Sequence, residues 1–342
     1  MKRKIAVLFG GVTSEYEVSL QSAASVISAI QEEVIMVGID QHDGTWYWHE
    51  GGVEEIADGS WRKQASIRLY PSMNKEEHGF VYWKDNERKF LTVDVALPIL
   101  HGKNGEDGTV QGVLELCGIE VIGCGVLSSA LCMDKVRADM LVSSAGIAVA
   151  RHIVLQDEEE VETKLAEIRN LGFPLFIKPV KSGSSFGITC IQEEGELREA
   201  VQRAFAYDNT VIVEEKIEGV EIGCAVMGRK GLVTGVPDEI VLSTDFFDYE
   251  EKYTLKTSKI LVPAEISDEK KQEIQEKAKV VYRLLDCRDF ARVDFFLKED
   301  GTVYFNEVNT IPGFTSHSRF PKMMCETGLA FEEVIAKLLE VE

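Results

Sequence analysis

The 342-residue sequence predicts an α/β protein that opens with a doubly wound, parallel-sheet domain and continues in further α/β blocks. Three observations carry this reading. Residues 4–9 are an apolar strand-like run that meets Gly10-Gly11 and then a helical pattern, the start of a doubly wound unit. A second strand–helix pattern begins at Leu127. Residues 289–319 read as two strands joined by a tight turn, with a polar cluster on one face. The length exceeds one comfortable core, so two or three domains are expected.

Composition narrows the function. Hydrophobic content of 45% and charged content of 28% are ordinary for a globular chain. A formal net charge of −21 counts against nucleic acid or an anionic membrane surface as the main partner, and leaves room for a local basic pocket. MKRK leads into a short strand rather than a signal peptide, and no apolar run reaches spanning length, so a cytoplasmic protein without a membrane partner is expected. The seven cysteines show no C-x-x-C spacing and read as reduced, small apolar fillers.

Taken in order, Ser14 and Glu17 fit a capping box for a helix over 14–30. Glu15 suits the helix dipole, or is a carboxylate aimed at the pocket above the sheet. G-x-G-x-x-G is absent, which disfavours a dehydrogenase-like protein. Residues 34–39 form a second strand, and the turn-rich, aromatic stretch 40–90 reads as short antiparallel strands and loops. A strand over 93–100 ends in the glycine-rich loop HGKNGEDG (101–108), followed by a helix over 109–116 and a short strand over 120–122. Residues 128–145 read as one helix containing Lys135. The strand PLFIKP carries Lys178, and KSGSSFG after it is either a phosphate cover or a plain hairpin turn; it lacks the G-K-[ST] of a Walker A loop. A strand over 211–217 ends in acids. The charged, aromatic excursion 243–263 has the character of a lid or binding loop. Helices are expected over 267–285 and 331–340.

Asp300-Gly301 is a two-residue hairpin signal. Counting outward sets Glu299 opposite Thr302, Asp294 opposite Glu307 and Arg292 opposite Asn309. One face then carries those last four residues. The other carries Val293, Val308, Leu297 and Tyr304, apart from the Phe295–Asn306 pair. Two facing carboxylates beside an amide suit a hard divalent cation, or are simply a solvated face. Pro312-Gly313 forces a sharp turn just past the cluster, with unobstructed N–H groups.

Read together, GGVTSEYEVSLQSA, LHGKNGEDGTVQG, CMDK, FIKPVKSGSSFG, EEKIEGVE, EKY, ARVDFF and FNEVNTIPGFTSHSR resemble the D-alanine–D-alanine ligase family of ATP-grasp enzymes over essentially the whole chain. The resemblance implies a three-domain ATP-grasp architecture: a substrate domain (1–125), a central domain (126–213) and a C-terminal domain with metal site and lid (214–342). It implies Asp294, Glu307 and Asn309 as ligands of two Mg²⁺ ions, with Mn²⁺ able to substitute. It places ATP on Lys135, Lys178, Ser184, Ser185, Glu214, Glu215, Ile217, Glu221, Lys252, Asn306 and Glu307, with Glu215 and Ile217 acting chiefly through their backbone. Catalytic positions would be Glu15, Ser184, Tyr253, Arg292 and Gly313. Substrate contacts would come from Glu15, His101, Arg292, Gly313, Ser318 and Arg319. Retention of both lysines, the metal ligands and Arg292 disfavours a regulatory relative without turnover. The implied reaction joins D-alanine to a second D-amino acid through D-alanyl phosphate, in a homodimer. Tyr253 counts against D-lactate. Arg319 marks the vancomycin-resistance branch, and the surrounding motifs look closest to its D-alanine–D-serine ligases; the alternative is the D-alanine–D-alanine ligase of ordinary peptidoglycan synthesis.

Overall fold

In the computed structural model, which describes residues 3–183, 186–241 and 259–340, the strands form three sheets. The first has eight strands. Its parallel centre runs Glu33–Ile39, Lys4–Gly10, Val95–Pro98, Glu120–Val121 in spatial order. Ile5 to Phe9 are all fully buried, as expected of a strand covered on both faces. The aromatic stretch supplies four antiparallel strands, Trp46–His49, Ile67–Pro71, Gly79–Lys84 and Glu87–Thr92. It also holds two short helices, Val53–Ala57 and Trp61–Gln64, that periodicity does not reveal. Trp61 explains the second: its ring is fully buried edge-on to Phe9, and its Nε1 donates to the Tyr16 hydroxyl at 2.8 Å.

Two helix boundaries correct the sequence reading. The first helix spans Tyr16–Ala29 with Glu15, which makes no side-chain cap, at the N-cap position expected of Ser14. The expected helix over 128–145 is two helices, Val126–Met133 and Lys135–Ser144. Asp134 breaks it with an extended ψ of 96° and caps the second by accepting from Arg137 N at 3.0 Å. Lys135 therefore starts a helix instead of lying inside one.

The second sheet is antiparallel, in the order His152–Leu155, Val211–Glu215, Leu175–Pro179, Thr189–Ile191. Helices Glu160–Leu171 and Leu197–Phe205 bury Ile168, Leu197 and Val201 in its core. The third sheet has seven strands; its main path is Lys259–Leu261, Asp238–Val241, Val220–Met227, Phe290–Leu297, Val303–Asn309, Ala148–Val149. Helix Asp268–Leu284, capped by Ser267, packs Ile274, Ala278 and Val281 beneath it. The last two helices, Arg319–Cys325 and Phe331–Leu339, return to the first domain, where Phe320, Met323, Val334 and Leu338 share a core with Phe9, Leu20 and Ala23.

The hairpin forms, but its turn has three residues. Lys298 pairs with Thr302 around Glu299-Asp300-Gly301, with Gly301 at φ +84°. Near the turn the register is therefore one residue away from expectation: Leu297 faces Val303 and Phe295 faces Phe305. A β-bulge at Asn306 absorbs the difference. Beyond it Asp294 faces Glu307 and Arg292 faces Asn309, the pairing expected from sequence. Val293, Phe295, Val303, Phe305 and Val308 point into the core.

Candidate active site

The polar face of the hairpin is the floor of a cavity of about 510 Å³ between the first and third sheets. Arg292 and Asp294 alternate with Ala291, Val293 and Phe295, and Glu307 and Asn309 flank Val308, so the strands bury those apolar side chains and turn the polar ones to the cavity. Arg292 Nε donates to both oxygens of Asp294, at 2.9 and 3.0 Å, and Nη2 adds a 2.8 Å bond. Asn309 Nδ2 donates to Asp294 Oδ2 at 2.9 Å. Burial works most strongly against the Arg292 charge, and Arg319 adds to that, but Asp294 and Asp238 together hold the guanidinium above its ordinary value.

Arg319 arrives from the first turn of its helix and is buried. Its Nε and Nη2 clasp Asp238 at 2.7 and 2.8 Å, Nη1 donates to Glu221 at 2.7 Å, and Nη2 lies 3.5 Å from Asp294. Burial opposes this charge too; Asp238, Asp294 and Glu221 together raise it well above the ordinary arginine value. Gly223 makes the cluster possible. A Cβ there would lie 2.4 Å from Arg319 Nη2 and 2.5 Å from Asp238 Oδ1. Asp238, fully buried and accepting Gly223 N at 2.9 Å, is a residue that sequence reasoning missed: it lies 81 positions from Arg319, on a four-residue strand with no pattern of its own.

On the opposite wall, Glu15 is buried beside Gly102, where a Cβ would stand 2.6 Å from Glu15 Oε2. His101 is buried, with Nδ1 3.0 Å from Ile311 O and Nε2 3.3 Å from Ser22 Oγ. Burial lowers its pKa, against the pull of Glu15. Glu106, also missed from sequence, lines the same wall; burial and then Glu15 raise its pKa to about 8. Ser318 Oγ accepts from Thr315 N at 3.1 Å, and a side chain at Gly313 would meet that oxygen at 2.8 Å.

A second cluster lies toward the four-stranded sheet. Lys135 Nζ donates to Ser182 O at 2.7 Å, tying its helix to the loop after Pro179. Lys178 Nζ pairs with the Glu214 carboxylate, both largely buried. Asp139 sits beside them with His152 Nδ1 at 3.4 Å; burial, then Glu214, raise its pKa to about 8, against Lys178 and Lys135. The Glu215 carboxylate is held by Arg151 N and Nε, both at 2.8 Å.

The structure thus gathers Glu15, His101, Lys135, Glu221, Arg292, Asp294, Glu307, Asn309, Gly313, Ser318 and Arg319 around one cavity. Lys178, Glu214, Glu215, Ile217 and the bulged Asn306 lie off that wall. Ser184, Ser185, Lys252 and Tyr253 fall outside the described residues. Among the described residues no group of three or more His, Cys, Asp or Glu is arranged to hold a metal. The candidate set instead adds an amide to two carboxylates. Its chemistry fits a hard cation: all three offer oxygen, and among the described residues lining the cavity six carboxyl groups (Glu15, Glu17, Glu106, Glu221, Asp294, Glu307) stand with three fixed cations, Lys135, Arg292 and Arg319. Anionic phosphates entering that surplus need divalent counter-charge.

A paired-carboxylate floor, a lysine-bearing strand and an adjoining Gly/Ser loop define a nucleotide-dependent ligase of ATP-grasp architecture. The family description "D-ala D-ala ligase N-terminus" matches residues 4–124, and "D-ala D-ala ligase C-terminus" matches 141–340. The chain belongs to the D-alanine–D-alanine ligase family, whose members use ATP and Mg²⁺. It is similar to the crystal structure of the VanG D-Ala:D-Ser ligase from Enterococcus faecalis, with TM-score 0.92 and 50% identity over 99% of both chains. A D-alanine–D-alanine ligase of Caldicellulosiruptor bescii is 42% identical over 99% of this chain and 95% of its own. The vancomycin C-type resistance protein VanC1 of Enterococcus gallinarum is also 42% identical, over 98% and 97%. Among the described residues no helix is long and apolar enough to cross a membrane.

Proposed function

We propose that this ligase joins D-alanine to D-serine, making precursors of a vancomycin-resistant peptidoglycan, as a cytoplasmic homodimer. Glu15 and His101 hold the ammonium side of the first D-alanine. Lys135 and Lys178, with Ser184, Ser185 and Lys252, hold the ATP phosphates; Glu214 and the backbone of Glu215 and Ile217 meet the adenine, and Glu221 the ribose. Asp294, Glu307 and Asn309 would hold two Mg²⁺ ions, for which Mn²⁺ would substitute, and Asn306 and Glu307 also meet the ATP. Those ions supply charge neutralisation on the transferring phosphate. The D-alanine carboxylate attacks the γ-phosphate, and the amine of the second substrate then attacks the acyl phosphate carbonyl and releases phosphate. Arg292 and the Gly313 N–H face the oxyanion formed in that step. Ser184 and Tyr253 close the long loop over a water-poor site, because an acyl phosphate hydrolyses readily.

Arg319 by residue type marks only the resistance-type branch, so the observation that supports D-serine is the polar setting in which it lies. Three of its five N–H groups are taken by Asp238 and Glu221, and the guanidinium lines the cavity beside Ser318. A wall this polar suits a hydroxymethyl group better than a methyl alone. The 50% identity to the VanG D-Ala:D-Ser ligase leans the same way. A second reading, D-alanine–D-alanine ligase, is supported by relatives of that name at 42%. Equimolar D-alanine and D-serine with ATP and Mg²⁺, followed by mass analysis of the dipeptides, separates the two. D-Ala–D-Ser is expected to dominate at neutral pH, and mostly D-Ala–D-Ala would overturn the choice. A modest ratio is expected, because a pocket that accommodates a hydroxyl rejects its absence poorly.

A further inference from the structure

Ile311 stands two residues after Asn309 and two before Gly313, and one loop of the first domain grips both its backbone polar groups. Its carbonyl oxygen accepts from His101 Nδ1 at 3.0 Å, and its N–H donates to Glu106 Oε1 at 3.2 Å. The other Glu106 oxygen accepts from Gly102 N at 2.8 Å. The two donors to that single carboxylate are more than 200 positions apart in sequence. Gly102 is itself fixed: at φ +73° it packs so closely under Glu15 that a Cβ would stand 2.6 Å from the Glu15 carboxylate.

We infer that Glu106 is a positioning residue for ligation, a clamp that sets how far the Glu15 wall stands from the Ile311–Gly313 turn. The inference rests on the ligase reading above, in which those two sides hold the first amino acid and the developing oxyanion. Both carboxyl oxygens accept a backbone N–H, and few side chains can accept two at once from such distant parts of the chain. A glutamine in place of Glu106 would keep one accepting oxygen but turn an NH₂ toward an N–H, so one side of the clamp would open. Misplacement by about 1 Å can cost about 100-fold in rate. The nucleotide cluster at Lys178 and Glu214 lies off this wall and would be undisturbed.

The test measures D-alanine-dependent phosphate release, with ATP and either second substrate, for wild type, Glu106→Gln and Glu106→Ala. The expected kcat loss is about tenfold for the glutamine and about 100-fold for the alanine variant. The KM for ATP should stay within about twofold, because only the amino-acid side moves. Glu106→Gln is nearly isosteric and keeps the test open if the alanine variant fails to fold. The clamp is overturned if both variants keep kcat within about twofold of wild type, or if the KM for ATP rises in step with the fall in kcat. Absence of phosphate release from wild type is a separate outcome: it overturns the ligase reading, and the clamp's role in ligation with it.

Discussion

Two clusters of buried charge flank the site, and they are built differently. In the C-terminal sheet, Arg292 and Arg319 each face Asp294, and Arg319 also faces Asp238 and Glu221, so every guanidinium is met by geometry it can fork onto. Near the four-stranded sheet, Lys178 has the Glu214 carboxylate, while Asp139 is buried with Glu214 on one side and Lys178 and Lys135 only partly offsetting the cost. The first arrangement is interlocked: moving one member strands the others. The second is a point charge on a flexible stem, able to exchange its partner for a ligand. The contrast separates an interlocked scaffold from a single ion pair whose members have fewer ties to their surroundings.

The comparison breaks most sharply at Glu307. Glu307→Ala should lower D-alanine-dependent phosphate release by about a thousandfold or more, since it removes an oxygen that helps carry several kcal/mol of charge stabilisation. A variant with near-normal kcat would move the metal away from the hairpin. Next is Arg319→Leu. It leaves Asp238 buried with its main cation gone, at a cost of about 3–5 kcal/mol, measured as a lower denaturant midpoint. Adding Asp238→Asn should recover part of that loss, because the stranded charge goes with it. A loss under about 1 kcal/mol in Arg319→Leu would mean the cluster is not interlocked.

How far the site could be read in advance follows the same division. The facing of Asp294 with Glu307 was legible from two strands and a turn, although by compensation: the loop is one residue longer than Asp300-Gly301 alone suggests, and the bulge at Asn306 restores the register. Neither feature has a local signal, because a bulge is set by the neighbouring strands and by the site it aims. Asp238 could not be found, since only a partner 81 residues away distinguishes it from a surface acid. Glu106 was hidden in plain view beside Asp107. Both are acids in one loop, yet Asp107 Oδ1 accepts Thr109 N at the start of the local helix while Glu106 reaches Ile311, 205 positions away. The broken helix at Asp134 shows the converse: continuous periodicity does not register a cap that helix packing makes worthwhile.

Lys178→Met sharpens the comparison from the other side. The KM for ATP should rise about tenfold, the worth of one charge-assisted hydrogen bond, with a smaller fall in denaturant midpoint than Arg319→Leu gives. Equal stability losses in the two variants would erase the distinction between scaffold and exchangeable contact.

The smallest expected effect is in the pH dependence of stability. Asp139 has its folded pKa raised from 3.8 to about 8, chiefly by burial and then by Glu214. Between those values the folded chain keeps a proton that the unfolded chain has released, so this group makes stability fall as pH rises through the window. Below the window it contributes nothing, and above it the penalty is complete. Asp139→Asn cannot ionise, so its melting temperature should gain on wild type steadily from about pH 4 to about pH 8, ending a few degrees ahead, and then keep a constant lead. Glu106, also raised to about 8, leaves a residual slope in the variant. The two arginines of the other cluster add none, because their partners push both guanidinium pKa values further above neutrality. Parallel melting curves for wild type and variant across that range would show that Asp139 stays ionised, and the cluster by the four-stranded sheet would then be as firmly compensated as the hairpin.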